Sequence, residues 1–428
     1  MMTNRSRPED PASLSLVLDL VRNGAALNQP AIVRLSGLGR TVVARRVSEL
    51  KAVGLLEEGD LGLSTGGRAP RQLIFRGDAG VLLVAELGAH SLSVGLADLT
   101  GRLLKEHQEP ARVADPESTL SRMESLFDHL YQSLPVPRPP IWGIGIGVLG
   151  PVDAETARPT PLPFLPNWGN YPIRERVGSR YDAPVWVDNE VNLMALGEYR
   201  RGTGKGTDEL IYIMVGYGIA AGIITGGRLQ RGAQGAAGEV GHITVVEDES
   251  LTCWCGNTGC LVQLASGAAL AHGAAAVASD STYLKKVIAD GQPLDASAVA
   301  AGAAAGDPAC LDLLIRAGRH IGRMAAMLVT VCNPAEIVIG GTVARAGDPF
   351  LAVIRQEVYR RAFPLASRDL SVSLSPLSET AGLVGAAFMV SDELMSARYL
   401  PAWIDRGTPA GLQRSVYADS QATGVWTA

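Results

Sequence analysis

Aromatic residues make up only 5% of this 428-residue chain and charged residues 19%, against 47% hydrophobic residues. So aliphatic a composition excludes wholesale disorder and supplies a large core. Long apolar runs are missing. Gly, Arg or Asp breaks each stretch well short of the roughly 20 residues a membrane span needs, so no membrane partner is expected. The N-terminus, with Arg5, Arg7, Glu9 and Asp10, lacks the apolar segment of a secretory signal. Cysteine is scarce. Three of the five crowd at Cys253, Cys255 and Cys260, and the odd count favours a reduced, cytoplasmic metal site over a disulfide framework. Nor is there an excess of positive charge: 38 Lys/Arg face 43 Asp/Glu, a net charge of −5. That balance excludes a protein that coats nucleic acid along its whole length. The charge is uneven, however. Residues 1–80 carry 11 Lys/Arg against 8 Asp/Glu, whereas residues 81–428 carry 27 against 35. A small basic head on an acidic body is a hint about partners, and the length suggests about three structural units.

The head, residues 1–78, reads as short helices followed by two strands. Leu14, Leu16, Val17, Leu20 and Val21 repeat at helical spacing. Asn28 can cap a second helix through Leu35, and Ser36-Gly37-Leu38-Gly39 is a tight turn. A third helix runs from about Arg40 to Val53 and stops at Gly54. It turns Val43, Val47 and Leu50 inward and shows Arg40, Thr41, Arg45 and Arg46 on its other side. Strand-like pieces Leu55–Glu58 and Arg71–Phe75 then flank a loop containing Gly66-Gly67-Arg68. This is the order of a winged helix-turn-helix, in which the second helix of the motif enters the major groove. Arg40, Thr41, Arg45 and Arg46 are the expected DNA contacts, with Arg68 on the wing in a narrow minor groove. The competing reading is a surface helix with a solvated arginine face.

From residue 79 the pattern changes to strands alternating with helices, an α/β architecture. Val81–Ala85 and Leu92–Ala97 flank Glu86-Leu-Gly-Ala-His-Ser91. A similar unit recurs at Leu210–Val215, Gly216-Tyr-Gly-Ile-Ala-Ala-Gly222 and Ile223-Ile-Thr. Two such hairpins suggest an internal duplication, each half giving a hairpin tip to one cleft. Ile141–Gly150 is a Gly-alternating strand, Val185–Asp188 is a short strand before a helix, and Glu379–Val390 is an Ala/Gly-rich helix. The expected units are 79–200 for a first lobe, 201–395 for a second, and 396–428 for a partly flexible tail.

The most specific motif is His242 followed by Cys253-Trp-Cys255-Gly-Asn-Thr-Gly-Cys260. Three thiolates and one imidazole within 19 residues predict a closed tetrahedral zinc site, one per chain and structural because no ligand position stays open. The alternative is three reduced core cysteines with no metal.

These residues carry a resemblance. Residues 79–395 resemble the ROK family of repressors, open reading frames and sugar kinases. The Gly-His…Cys-x-Cys-Gly-x-x-Gly-Cys signature is present in His242, Cys253, Cys255, Gly256, Gly259 and Cys260, and Gly143-Ile-Gly-Ile-Gly147, Gly150-Pro-Val-Asp153, Asp188-Asn-Glu-Val-Asn192 and Ile339-Gly-Gly341 also match. The resemblance implies a two-lobed actin-like ATPase (sugar-kinase) fold, here preceded by a winged helix-turn-helix as in the family's transcriptional branch. By the same resemblance Asn189, Glu190, Glu239 and His242 line a sugar's hydroxyls. The Asp-Asn-Glu-x-Asn wording is similar to that of xylose repressors, which makes a pentose the first guess.

Departures from the kinase pattern bear on activity. Where family kinases carry Asp-x-Gly-Gly-Thr, this chain has Glu86-Leu87-Gly88-Ala89-His90; where they carry Gly-Thr-Gly-x-Gly-Gly-Gly, it has Gly216-Tyr217-Gly218-Ile219-Ala220-Ala221-Gly222. A Tyr and two extra methyls obstruct a loop that approaches phosphate through backbone N–H groups. Glu190 replaces the kinases' Asp base, one methylene longer, so it is a vestigial base position, and a displacement of about 1 Å can cost about 100-fold. Val262 stands where the family carries another sugar-binding Glu. The expectation is therefore no enzyme. It is a cytoplasmic regulator, repressor before activator, that binds a double-stranded DNA operator as a homodimer or homotetramer and responds to a small sugar effector. A working sugar kinase with an attached DNA domain, and a regulator governed by a partner protein, are the alternatives.

Overall fold

A computed structural model of the chain describes residues 12–61, 71–153 and 155–412. The head holds α1 (Ala12–Arg22), α2 (Gln29–Ser36) and α3 (Arg40–Ala52), then strands β1 (Leu56–Leu61) and β2 (Arg71–Phe75) paired antiparallel. Local chemistry sets these boundaries. Asn28 Oδ1 accepts from Ala31 N–H at 2.9 Å and caps α2, and Gly37 in the left-handed region ends it. The wing residues Gly66, Gly67 and Arg68 lie outside the described residues.

The body contains two five-stranded sheets of the same topology. The first comprises β3 (Val81–Leu87), β4 (Ser91–Asp98), β5 (Leu103–Pro110), β6 (Ile141–Val148) and β7 (Val185–Asn189), in the order β5-β4-β3-β6-β7. The second comprises β8 (Leu210–Val215), β9 (Ile219–Thr225), β10 (Arg228–Leu229), β11 (Glu336–Gly340) and β12 (Ser371–Leu374), in the order β10-β9-β8-β11-β12. In each, the first three strands are antiparallel and the last two join in parallel. Strands β3 and β6 are apolar runs because helices cover both faces. β5 is an edge strand whose Lys105, Glu106 and Glu109 block further pairing.

Helices α4 (Pro116–Gln132) and α5 (Ile173–Tyr181) accompany the first sheet, and α6 (Glu190–Arg201) packs on both, Leu193 clustering with first-sheet residues and Val191 and Ala195 with Leu210, Tyr212 and Ile224 of the second sheet. The second carries α7 (Val262–Ala265), α8 (Gly267–Val277), α9 (Thr282–Ala289), α10 (Ala296–Ala304), α11 (Pro308–Cys332), α12 (Asp348–Arg361) and α13 (Pro364–Ser367). Among the described residues no single helix is long and apolar enough to cross a membrane; α10 and α11 pass that test only as a pair bent by 116°.

Two boundaries differ from the sequence expectation. Helix α14 (Ala381–Leu394), expected in the second lobe, lies on the first sheet and along α6. The Gly alternation of β6 explains this: a Cβ on Gly145 would stand 2.8 Å from Ala386 O and 2.9 Å from Val390 Cγ2, so bare backbone lets the helix rest on the strand. The expected tail from 396 begins instead as packed structure. In and beside α15 (Leu400–Trp403), Tyr399, Leu400, Trp403, Ile404 and Leu412 are buried in one cluster with Leu14, Val17, Leu18 and Val21 of α1 and with Trp142 and Trp186 of the first sheet. The apolar faces of head and body cover each other through this segment, an arrangement its Gly- and Ser-rich surroundings concealed.

The head is also tied to the end of α14 by polar contacts. Ser15 Oγ donates to Met395 O, Arg22 pairs with Asp392, and Arg200 of α6 donates to both Asp392 oxygens at 2.6 Å. Ser391 Oγ, fully buried, donates to Leu99 O at 2.7 Å.

Candidate functional site

The turns after β3 and β8 bring the two hairpin tips together. The rings of His90 and Tyr217 meet edge to face, centroids 5.0 Å apart. The second tip is shorter than its glycine pattern suggests. β9 begins at Ile219, so Ala220 and Ala221 pair with Met214 and Ile213 as strand residues, and the Ala221 methyl lies in the core. The two added methyls are therefore not the obstruction expected of them. Tyr217, about half exposed, stands at the tip.

Below the tips lie two carboxylates. Glu190 is the first residue of α6 and 5% exposed; Glu86 is the penultimate residue of β3 and is 8% exposed. Glu190 Oε2 lies 3.7 Å from the place a Cβ on Gly88 would occupy, while Glu86 Oε2 abuts Gly382 in the first turn of α14 without a hydrogen-bond partner. Burial pushes Glu86 up to about 8, and burial together with the nearby Glu86 raises Glu190 well above the usual carboxylate range. The pair thus favours holding a proton. Asn189, 6% exposed, caps α6 by accepting from Val191 N–H at 2.8 Å. Asp188 accepts from Asn192 Nδ2 at 3.0 Å and from Arg231 Nε at 2.7 Å.

Glu239 and His242 belong to a segment that runs along β9, where Ala221 N–H donates to Gly238 O at 2.7 Å. A Cβ on Gly222 would strike Ala195 and the backbone of α6, and Gly238 and Gly241 rest on Ala221 and Ile219. Burial raises the Glu239 carboxyl. Sequence spacing gave no access to Arg231, which is 43 residues from its partner, or to Glu86 as the neighbour of Glu190. Only the strand order makes them adjacent.

The four metal-ligand candidates converge: the donor atoms of His242, Cys253, Cys255 and Cys260 all lie within 4.8 Å of one another. Zinc bond lengths of about 2.3 Å to sulfur and about 2.0–2.1 Å to nitrogen imply tetrahedral edges of about 3.8 Å between sulfurs and about 3.5 Å between sulfur and nitrogen. Cys255 and Cys260 Sγ are 3.7 Å apart, and Cys253 Sγ is 3.5 Å from His242 Nδ1. Donor chemistry and spacing both fit a tetrahedral ion. Gly259 closes the knot with φ +64°, a conformation that favours glycine. The ring of Trp254, between two of the ligands, stands edge-on to His242 at 4.6 Å and to Phe164 at 5.5 Å.

In the head, α3 leaves Arg40, Thr41 and Arg45 exposed, Arg45 also pairing with Glu49 at 3.0 Å. Arg46 is different. It is 8% exposed, and its Nε donates to Ser13 Oγ at 2.9 Å while its Nη1 binds Glu49 at 2.8 Å. The expectation of a DNA contact is overturned there: position 46 shares its side of α3 with Val43, Val47 and Leu50, so its guanidinium braces α3 against α1. Arg68 lies outside the described residues.

Comparison with known proteins accords with this architecture. The ROK family profile matches residues 83–393. The xylose repressor of Caldicellulosiruptor bescii is 31% identical over 395 residues, covering 89% of this chain and 96% of the repressor. The glucokinase of Thermotoga maritima is 30% identical over 318 residues, covering 98% of that enzyme but 73% of this chain. Among solved structures, a ROK family transcriptional regulator described as a homologue of the E. coli MLC protein superposes with a TM-score of 0.81 at 24% identity, covering 92% of this chain and 99% of that one, which bears on fold alone. Matched through the residues of both sheets and of the metal-ligand cluster, the chain belongs to the ROK family.

Proposed function

We propose that this protein is a DNA-binding transcriptional regulator, acting as a repressor, whose kinase-derived body binds a sugar or sugar derivative. The observation that carries the reading is a helical head, with Arg40, Thr41 and Arg45 exposed on α3, packed as one cluster onto a ROK body. The likeness to a xylose repressor over 89% of the chain supports it. Arg40, Thr41 and Arg45 contact an operator, with Arg68 on the wing. Asn189, Glu190, Glu239 and His242 hold the sugar's hydroxyls. Zinc, one per chain, is held by His242, Cys253, Cys255 and Cys260 and supplies rigidity rather than reaction chemistry. His242 Nδ1 faces the cysteines, which leaves Nε2 for the sugar.

The kinase reaction is not supported. Tyr217 packs on His90 between the tips where a phosphate chain would need bare backbone N–H groups. Glu190 is buried against a second carboxylate instead of being free to take a hydroxyl proton.

Regulation follows from the position of α14. Its first turn touches Glu86, beside Glu190, and its last turn is bonded to α1 through Ser15 and Arg22. Sugar binding that alters the carboxylate pair or closes the lobes shifts this helix against the head. The effect on operator affinity is bounded by the sugar's differential affinity for the two states, typically about 1–3 kcal/mol, or about 5–150-fold. A symmetric homodimer or tetramer places two heads on half-sites separated by whole helical turns.

The test pairs fluorescence anisotropy on DNA from the protein's own promoter region with an ADP-release assay on the same preparation. Specific, salt-sensitive binding that changes with one sugar, without ADP release, is expected. Sugar-dependent ADP release with no preference for any DNA would overturn the reading.

A further inference from the structure

We propose that Phe164 and Trp254 form a stacking subsite for a second ring, so that the effector is a disaccharide or longer saccharide rather than a free monosaccharide. This inference rests on the sugar-sensing reading above. The two rings meet edge to face at 5.5 Å and 74°, and each residue is 45% exposed. At that exposure, part of each ring's surface is open to a ligand. Both are held by anchored segments. Phe164 lies between buried Leu162, Leu165 and Trp168, and Trp254 lies between Cys253 and Cys255 of the metal cluster. Presenting them therefore costs little side-chain freedom on binding.

Position points to the occupant. Trp254 packs edge-on to the same imidazole, His242, whose Nδ1 faces the cysteines. A ring attached to a sugar held by His242 Nε2 next meets Trp254. A pyranose joins polar edges to C–H faces, which suits a shelf of aromatic faces reached from a polar pocket. The pair is also the wrong size for a protein partner, which needs about 800 Å² on each side. Phe164 comes from the segment between β6 and β7 and Trp254 from the segment between β10 and α7, so a bound second ring bridges the two halves of the body.

The experiment is isothermal titration of the full-length, zinc-loaded protein with xylose, xylobiose, glucose and cellobiose. One disaccharide is expected to bind at least about tenfold tighter than its monosaccharide, the effect of covering one aromatic face, and to change tryptophan fluorescence. Phe164→Ala and Trp254→Ala should remove that gain. Phe164→Ala, which removes no metal ligand and no residue adjacent to one in the chain, should keep the monosaccharide affinity and full zinc content. Equal affinity for mono- and disaccharide, or an equal loss for both in Phe164→Ala, overturns the subsite while leaving sugar sensing intact. No binding of any saccharide overturns both.

Discussion

Replacing Gly145 with alanine tests whether α14 is held directly on the first sheet. The new Cβ would stand 2.8 Å from Ala386 O, 2.9 Å from Val390 Cγ2 and 3.2 Å from Ala386 C. Relaxed contacts of this kind lie at about 3.5 Å or more, so α14 must withdraw by roughly 0.7 Å or β6 must bend. A backbone carbonyl has no rotamer to escape into, and overpacking of this sort costs about 1–3 kcal/mol. At about 2–4 °C per kcal/mol for a unit of 150–250 residues, a cost of about 2 kcal/mol lowers the thermal midpoint by roughly 4–8 °C. The control is Gly273→Ala in α8, where the nearest atom is Leu313 Cδ2, the end of a side chain that can turn away. There the gain in helix propensity, about 1 kcal/mol, should offset the contact. Differential scanning fluorimetry on the two variants and the parent decides the matter. A Gly145→Ala midpoint equal to that of the parent would refute the close packing of α14, and with it the route proposed from pocket to head.

Four further outcomes are expected. Cys255→Ser should lower the metal content from about one per chain to well below one and lower the unfolding midpoint; unchanged stability in the metal-depleted variant would remove the structural role of zinc. Arg40→Ala should weaken operator binding across sequences and reduce the salt slope by about one, whereas Arg46→Ala should lower stability by about 1–3 kcal/mol through the lost bonds to Ser13 and Glu49; a purely DNA-binding defect at position 46 would contradict its bracing role. Glu86 titrates near 8 when folded and near 4.5 when unfolded, so its contribution is fully present below about 4.5 and is lost as pH rises through about 8. Glu86→Gln should therefore gain stability relative to the parent between pH 5 and 8, as followed by urea denaturation at several pH values; a pH-independent difference would show that Glu86 is not the protonated group.

The sequence by itself determined the parts whose information is local. Helix caps, tight turns and strand runs depend on neighbouring residues, so Asn28, Gly37 and the apolar runs of β3, β4 and β8 marked their elements. The metal cluster was equally legible, because the geometry of a tetrahedral ion admits few spacings of Cys and His. The ROK body followed from such short motifs. Tertiary structure decided what depends on partners distant in the chain. Arg46 looked like one more residue of a basic stripe until α1 supplied Ser13 opposite it. The segment 396–412 looked like a tail because its few large side chains gain burial only when head and body meet around them. Glu86 and Glu190 belong to separate motifs, and strand order makes them a pair. The glycines of β6 have one meaning as a motif and another as a bed for α14, and the distinction is a matter of which surface arrives. Local chemistry chose the elements; the approach of one surface to another assigned several residues their roles.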